Sequence, residues 1–107
     1  MPLIRLEFDD KKVPDADVEK VSQAVRDIVS EVTAIPDVFV YANTAKIKVQ
    51  IAPIEIFVEM SAHKIEDADA LIAKIKERLV SWKKEANFAH PINLTLIPMN
   101  WKVEIGI

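Results

Sequence analysis

The sequence predicts an α+β fold in which two tandem βαβ units form a four-stranded mixed sheet with two helices on one face. Three observations lead to this prediction. Two segments carry apolar residues at helical spacing, several short runs have the composition of strands, and the second half repeats the pattern of the first. With 107 residues, of which 50% are hydrophobic, the chain can bury one core, so we expect a single domain spanning 1–107.

The first unit begins with a strand over residues 2–8, in which apolar and charged side chains alternate. Asp15 is the predicted N-cap of the following helix, and acidic residues in its first turn suit the positive end of the helix dipole. Valine and isoleucine at helical spacing predict this helix over 16–34. Pro36 ends it, and residues 38–41 form a short strand of β-branched and aromatic residues.

The second unit follows a segment that also has strand character. Residues 46–51 alternate polar and apolar side chains, which predicts a half-exposed strand. A buried strand over 54–60, a helix over about 66–84 and a last strand over 92–97 complete the unit. The tail, residues 99–107, alternates again and is predicted to be an extended arm whose apolar edge pairs with a partner.

The two halves match when the chain is shifted by about 51 residues, which brings Pro2 onto Pro53. The repeats are then about 2–51 and 53–98, each a βαβ unit. Two arrangements fit such a tandem. The halves interleave in a ferredoxin-like βαββαβ sheet, or two parallel βαβ units lie side by side under pseudo-twofold symmetry. The pattern by itself does not choose between them.

Composition excludes several classes of function. The chain has no cysteine, which rules out thiol catalysis and disulfides and favours a reducing compartment. It has one glycine, Gly106, so the glycine-rich phosphate loops of nucleotide enzymes are absent. A net charge of −3 argues against a nucleic-acid partner, which requires clustered Lys and Arg. No apolar run reaches the roughly 20 residues of a membrane span, and we expect a cytoplasmic protein without a membrane partner.

The charged residues and histidines give weak candidates for chemistry. Glu55 and Glu59 share one face of a strand, but about 3.3 Å per residue sets them roughly 13 Å apart, which is too far for paired carboxylate catalysis. His63 and His90 lack acidic ligands at metal spacing, so no metal is predicted. His63 stays a candidate because it follows a strand in a loop, where pocket residues often lie.

Pro2 is the remaining candidate. Methionine before a small residue is commonly removed, and the new terminus is then a secondary amine fixed at the edge of the first strand. Free α-amino groups titrate near about 8, and burial lowers the pKa of an amine because it disfavours the charged form. A neutral amine at pH 7 can act as a base that shuttles a proton between a carbon and the neighbouring carbonyl oxygen.

The start MPLIRLEF, the tandem βαβ layout and the strands IEIFVEM and INLTLIPM resemble the tautomerase superfamily, which includes 4-oxalocrotonate tautomerase and macrophage migration inhibitory factor. The chain is most similar to the uncharacterised bacterial branch with two βαβ units. The resemblance implies a homotrimer with a central barrel and a C-terminal arm that pairs across subunits. It also implies that Pro2 is the catalytic base for keto–enol tautomerisation of a small 2-oxo or enol acid, without a cofactor.

The resemblance also implies substrate-binding residues. Lys12 falls near the recurrent arginine after the first strand, and Tyr41 stands where one branch has an activating arginine. Ala34 stands where the ring-tautomerising branch has a lysine. The predicted substrate-binding residues are Lys12, Tyr41, Ser61, Asn93 and Thr95. The alternative function is a non-catalytic ferredoxin-like domain for binding or oligomerisation.

Overall fold

A four-stranded sheet is the centre of the fold. The computed structural model describes all 107 residues. The strands are β1 (Leu3–Phe8), β2 (Phe39–Asn43), β3 (Ile54–Ser61) and β4 (Asn93–Met99). Their order in the sheet is β2-β1-β3-β4, so the first strand of each unit is central and the second strand of each unit is an edge.

The strand pairing decides between the two predicted arrangements. β1 pairs in parallel with β2, β3 pairs in parallel with β4, and β1 and β3 are antiparallel. Each βαβ unit therefore keeps its own two strands together, joined by a helical crossover as parallel neighbours require. The mixed sheet of two units is confirmed. The ferredoxin-like alternative is wrong, because the units meet side by side at β1 and β3 and do not interleave.

The two helices are α1 (Asp15–Thr33) and α2 (Ala68–Ala86), each of 19 residues. The predicted N-cap Asp15 is wrong by one position, since Pro14 occupies the N-cap and Asp15 is the first helical residue. The Pro14 carbonyl accepts hydrogen bonds from the amides of Asp17 and Val18 at 3.0 and 3.1 Å. Proline suits this position because its fixed φ is compatible with the start of a helix and its missing N–H is not needed there.

The core lies between the helices and one face of the sheet. Alternate residues of β1 and β3 that face the helices, such as Ile4, Leu6, Ile56 and Val58, are completely buried. Both helices contribute apolar side chains to the same cluster, which confirms that they share one face. The alternate residues of the strands, beginning with Leu3, lie on the opposite face, which we call the helix-free face.

The predicted strand over 46–51 is wrong. The segment has no strand pairing, and its apolar side chains Ile47 and Val49 are 83% and 96% exposed. It belongs to the connection from the edge strand β2 to the central strand β3, and no neighbouring strand lies beside it. An ion pair of 2.9 Å between Lys48 and Asp10 links the connection to the turn after β1. The alternation of polar and apolar side chains in this segment is therefore a local sequence pattern, and it is not accompanied by hydrogen bonds to a neighbouring strand.

The other predicted elements are confirmed with shifted ends. β2 begins one residue later than predicted, α2 is displaced by two residues, and β4 extends to Met99. The arm after β4 has no regular secondary structure, and Ile105 and Ile107 are strongly exposed. Neither helix combines the length and the apolar character needed to cross a membrane.

Candidate active site

Pro2 lies directly before β1, which is one of the two central strands of the sheet. Less than 2% of its side chain is exposed. Its carbonyl accepts a hydrogen bond from the Phe39 amide at 3.3 Å, which ties it to β2. Continuing the β1–β3 register by one residue brings Pro2 opposite Met60, which is 1% exposed. Pro2 is therefore held in an apolar position between two strands.

A cleft of about 640 Å³ opens at this end of the molecule. Each crossover helix runs back along its strands, so α1 ends and α2 begins beside the end of β3. Met60, the neighbour of Pro2, is among the lining residues. Most of the lining is apolar; it includes Val32, Ala34, Ile35, Ile65 and Leu71. An apolar cleft of this size with a few polar groups is typical of small-molecule sites.

The end of α1 forms one wall of the cleft. Ala34 adopts a left-handed conformation, with a φ of 58°, and so ends the helix. The Thr33 hydroxyl donates to the Val29 carbonyl at 2.6 Å, and the Ser30 hydroxyl donates to the Ile35 carbonyl at 2.8 Å. Because these hydroxyl protons are used within the wall, neither hydroxyl is a free donor toward the cleft.

The connection from β3 to α2 forms the opposite wall. A short 3₁₀ turn, Ala62–Lys64, leads to Asp67, whose carboxylate accepts a hydrogen bond from the Ala70 amide at 3.1 Å and caps α2. Lys64 and Glu66 line the cleft from the same connection. Lys64 is the one positively charged residue that lines it.

Ser61 is the predicted substrate-binding residue that lies at the Pro2 end of the sheet. It is the last residue of β3, two positions beyond the residue that pairs with Leu3. Its hydroxyl lies 2.7 Å from Nδ1 of His63. The structure thus joins two residues that the sequence indicated separately.

Tyr41 and Thr95 lie in the middle of the helix-free face. Tyr41 pairs with Arg5 across β1 and β2, and Thr95 pairs with Phe57 across β3 and β4. Tyr41 is 54% exposed. Both side chains therefore lie on the opposite face of the sheet from the buried side chain of Pro2.

Asn93 and Lys12 lie at the far end of the sheet. Asn93 pairs with Glu55 across β3 and β4 and donates a hydrogen bond to its carboxylate at 2.9 Å. Lys12 follows the end of β1, in a turn where its amide donates to the Asp9 carbonyl at 3.0 Å. A single chain does not bring these two residues to Pro2.

The acidic residues of the central strand β3 have partners on the neighbouring strand β1 and not along β3 itself. Glu59 accepts a hydrogen bond from Nε of Arg5 at 3.0 Å, and the guanidinium lies 4.7 Å from the centre of the Phe57 ring. Glu55 pairs directly with Glu7 across β1 and β3. Because pairs across strands depend on register, sequence spacing along one strand does not reveal them.

The two histidines have different partners. His90 lies 2.9 Å from the Asp17 carboxylate, and its carbonyl accepts a hydrogen bond from Lys83 at 2.7 Å. This cluster links the end of α2 to the start of α1, whereas His63 contacts Ser61 at the Pro2 end. No three His, Cys, Asp or Glu side chains lie close enough together to hold a metal ion.

Sequence reasoning missed Lys64 as a site residue. It lies in the polar link between β3 and α2 and has no motif around it. Its place between a central strand and a helix was the available signal, because connections of this kind carry binding residues more often than strand interiors do.

Solved structures with the same architecture cover nearly the whole chain. A fused 4-OT, in its wild-type asymmetric trimer, shares 13% identity over 97% of this chain and 92% of its own, with a TM-score of 0.67. A malonate semialdehyde decarboxylase inhibited by 3-bromopropiolate shares 19% identity over 98% and 91%, with a TM-score of 0.60. A 5-carboxymethyl-2-hydroxymuconate delta-isomerase shares 13% identity over 99% and 89%, with a TM-score of 0.63.

The likeness is one of structure. No protein-family model matches the sequence, and no curated protein matches it. The structural matches nevertheless extend across a 4-OT, a decarboxylase and an isomerase, each over nearly the whole of this chain. This chain has the fold of the tautomerase superfamily.

Proposed function

We infer that the protein is a cofactor-independent tautomerase that uses Pro2 as its base. The observation that carries this inference is the position of Pro2, buried before the central strand β1 and next to Met60 of an apolar cleft. The shared fold supports it, because the structurally similar proteins include a 4-OT and a delta-isomerase. The proposed substrate is a small 2-oxo or enol acid.

The proposed reaction needs one proton and no co-reactant. After removal of Met1, the neutral amine of Pro2 takes the proton from the enol oxygen, and the oxygen electron pair forms the carbonyl bond. The electron pair of the carbon–carbon double bond then takes the same proton from the ammonium, which regenerates the amine. An apolar surrounding favours the neutral, basic form of the amine.

A homotrimer is part of the proposal. Lys12, Tyr41, Asn93 and Thr95 lie away from Pro2 in one chain, so they serve the site only if neighbouring chains donate them. The exposed apolar residues Ile105 and Ile107 support pairing of the arm with another chain. An edge strand such as β2, with Phe39 and Tyr41 about half exposed, offers unpaired backbone groups for such pairing.

The first test compares three forms of the N-terminus with phenylenolpyruvate as the probe. The processed protein, verified by intact mass, is expected to be active. A form with two extra N-terminal residues converts the amine into an amide and is expected to lose about 10²- to 10⁴-fold in kcat/KM. Pro2→Ala keeps a primary amine in a changed geometry and is expected to fall between the two.

Pro53→Ala is the matched control. Pro53 lies at the equivalent position before β3. Its carbonyl accepts a hydrogen bond from the Asp9 amide, and its nitrogen is part of a peptide bond and therefore cannot act as a base. This variant is expected to keep wild-type activity. Equal, measurable activity of the processed and extended forms would refute the base, whereas no activity in either form would favour the alternative of a non-catalytic oligomerisation domain, which the exposed arm supports.

A further inference from the structure

A serine hydroxyl and an imidazole ring meet at the end of the sheet where Pro2 lies. Ser61 Oγ and His63 Nδ1 are 2.7 Å apart. The 3₁₀ turn Ala62–Lys64 brings the ring close to the serine, and Ser61 is fixed as the last residue of β3, opposite Met99 of β4. The hydroxyl is therefore anchored in the sheet, whereas the ring is exposed to solvent.

The Ser61 hydroxyl does not cap the turn that follows it. A serine at the N-cap of a helix usually accepts a hydrogen bond from a backbone amide, but Ser61 makes no such bond at the N-cap of the 3₁₀ turn. The hydroxyls of Ser30 and Thr33 donate to backbone carbonyls. Ser61 differs from both, because its hydrogen bond satisfies the His63 side chain and no backbone group.

The strand register places this hydroxyl beside the amine that removal of Met1 creates. Leu3 pairs with Glu59, so two further steps bring Met1 opposite Ser61. Residues opposite each other in antiparallel strands have Cα atoms about 4.5–5.5 Å apart. The nitrogen of Pro2, which is bonded to Met1, is therefore roughly 5 Å from the backbone of Ser61.

Ser61 and Met1 share the helix-free face. Alternate residues of β3 are buried against the helices, and Ser61 is not among them. Met1 comes one residue before the buried Pro2, so it falls on the helix-free face by alternation. Met1 is half-buried, and its removal uncovers the space between the Pro2 amine and the Ser61 hydroxyl. A gap of roughly 5 Å holds one oxygen atom with hydrogen bonds of about 2.7–3 Å on both sides.

We propose that Ser61 donates a hydrogen bond to the reacting oxygen of the substrate and that His63 orients the Ser61 hydroxyl for this role. This rests on the proposed function, in which Pro2 takes the proton from the enol oxygen. Negative charge develops on that oxygen as its proton leaves, and a fixed donor stabilises the charge. Ser61 keeps its own proton throughout, so the proton still moves from oxygen to Pro2 to carbon.

His63 is a positioning residue that acts through Ser61. In the required arrangement, Nδ1–H of a neutral His63 donates to Ser61 Oγ, which leaves the Ser61 proton to point at the substrate oxygen. A hydroxyl that accepts a hydrogen bond in this way becomes a stronger donor. The bond also fixes the rotation of the hydroxyl, which a lone serine at an exposed turn lacks.

The first experiment changes Ser61 and follows ketonisation of phenylenolpyruvate by the processed protein. Ser61→Ala is expected to lower kcat about 10²-fold with KM changed less than about threefold, because the bond strengthens as charge develops. Ser61→Thr keeps the hydroxyl and is expected to stay within about fivefold of the wild type. Ser81→Ala, which removes an exposed hydroxyl of α2, is the control and is expected to match the wild type. Equal losses in Ser61→Ala and Ser61→Thr would overturn the role of the hydroxyl.

The second experiment changes His63. His63→Ala is expected to lower kcat about tenfold. His63→Asn places an amide donor near the position of Nδ1 and is expected to recover most of this loss. The double variant Ser61→Ala/His63→Ala is expected to lose no more than Ser61→Ala, because His63 acts only through the hydroxyl. Losses that multiply in the double variant, or no recovery with asparagine, would overturn the pairing.

NMR of the His63 ring nitrogens gives a readout that does not depend on turnover. At a pH where the ring is neutral, the processed protein is expected to carry the proton on Nδ1, and Ser61→Ala is expected to lose this preference. A proton mainly on Nε2 would overturn the proposal, because the Ser61 proton would then be donated to Nδ1. Both residues lie at an exposed turn, so thermal unfolding of the variants is expected to match the wild type. If Ser61→Ala does not fold, Ser61→Thr and the two His63 variants decide the outcome.

The two proposals can fail separately. If the N-terminally extended protein is inactive and Ser61→Ala and His63→Ala behave as the wild type, only the role of the pair is refuted. If the extension has no effect and Ser61→Ala still lowers kcat, Pro2 is refuted as the base and Ser61 is retained as the donor to the reacting oxygen.

Discussion

The two βαβ units differ in how tightly their helices pack, although both helices have 19 residues. α1 buries six side chains, and α2 buries two, Ile75 and Leu79. Val29 and Val80 are equivalent positions under the shift of about 51 residues, yet Val29 is 0% exposed and Val80 is 45% exposed. A periodic apolar pattern therefore produces two helices of equal length but unequal burial.

The looser packing of α2 is linked to the candidate site. Leu71, in its first turn, is only half-buried because it lines the cleft beside Met60. A cleft needs apolar surface that is not covered by the protein's own core. The first unit thus supplies most of the core, and the second unit leaves the open space beside it.

The largest expected difference comes from truncating the equivalent valines. Val29→Ala is expected to lower the free energy of unfolding by about 2 kcal/mol, because it leaves a cavity in the core. Val80→Ala is expected to change it by less than about 0.5 kcal/mol, since the side chain is partly exposed. Urea unfolding followed by circular dichroism measures both values. Equal losses would contradict the unequal packing of the two helices.

The helix starts also differ, because α2 has a side-chain cap and α1 has none. Asp67→Ala is expected to cost about 1 kcal/mol of stability through loss of the hydrogen bond to the Ala70 amide. Asp69→Ala, in the same first turn but without a capping bond, is the control and is expected to cost only a few tenths of a kcal/mol. Denaturant unfolding of the pair separates the cap from the effect of charge.

The smallest expected difference in stability between the two units is at the ends of their helices. Ala34 and Asn87 end α1 and α2 in the same left-handed conformation, with φ of 58° and 52°. Ala34→Gly is expected to stabilise the protein by somewhat less than about 1 kcal/mol, because glycine adopts this conformation without a steric cost. Asn87→Gly is expected to gain less, since asparagine tolerates it better than alanine. Thermal unfolding of both variants measures the two gains in stability. Equal gains would contradict the expectation that alanine is more strained than asparagine at this position.

Much of the fold follows from local patterns in the sequence. The strand of residues 2–8, the two helices and the repeat shift are visible because each depends on spacing within one element. The segment 46–51 shows the limit of this reasoning. It has the alternation of a strand but no neighbour with which to form hydrogen bonds.

The candidate site was only partly predictable. Pro2 was indicated by its place before the first strand and Ser61 by the resemblance of the sequence, and the structure brings both to the same end of the sheet. Lys64 carried no sequence signal beyond its place in a connection, because its importance depends on α1 ending across the cleft from it.

By itself, the sequence determined which segments are helices and strands, that they form two similar units, and that Pro2 comes directly before a buried strand. The tertiary structure decided that β1 and β3 are antiparallel neighbours, that Glu7 lies across from Glu55, and that Lys64 is the cation of the cleft. The physical reason is that spacing within an element is set by local backbone geometry. Register and strand order are set by hydrogen bonds and packing between segments that are distant in the chain.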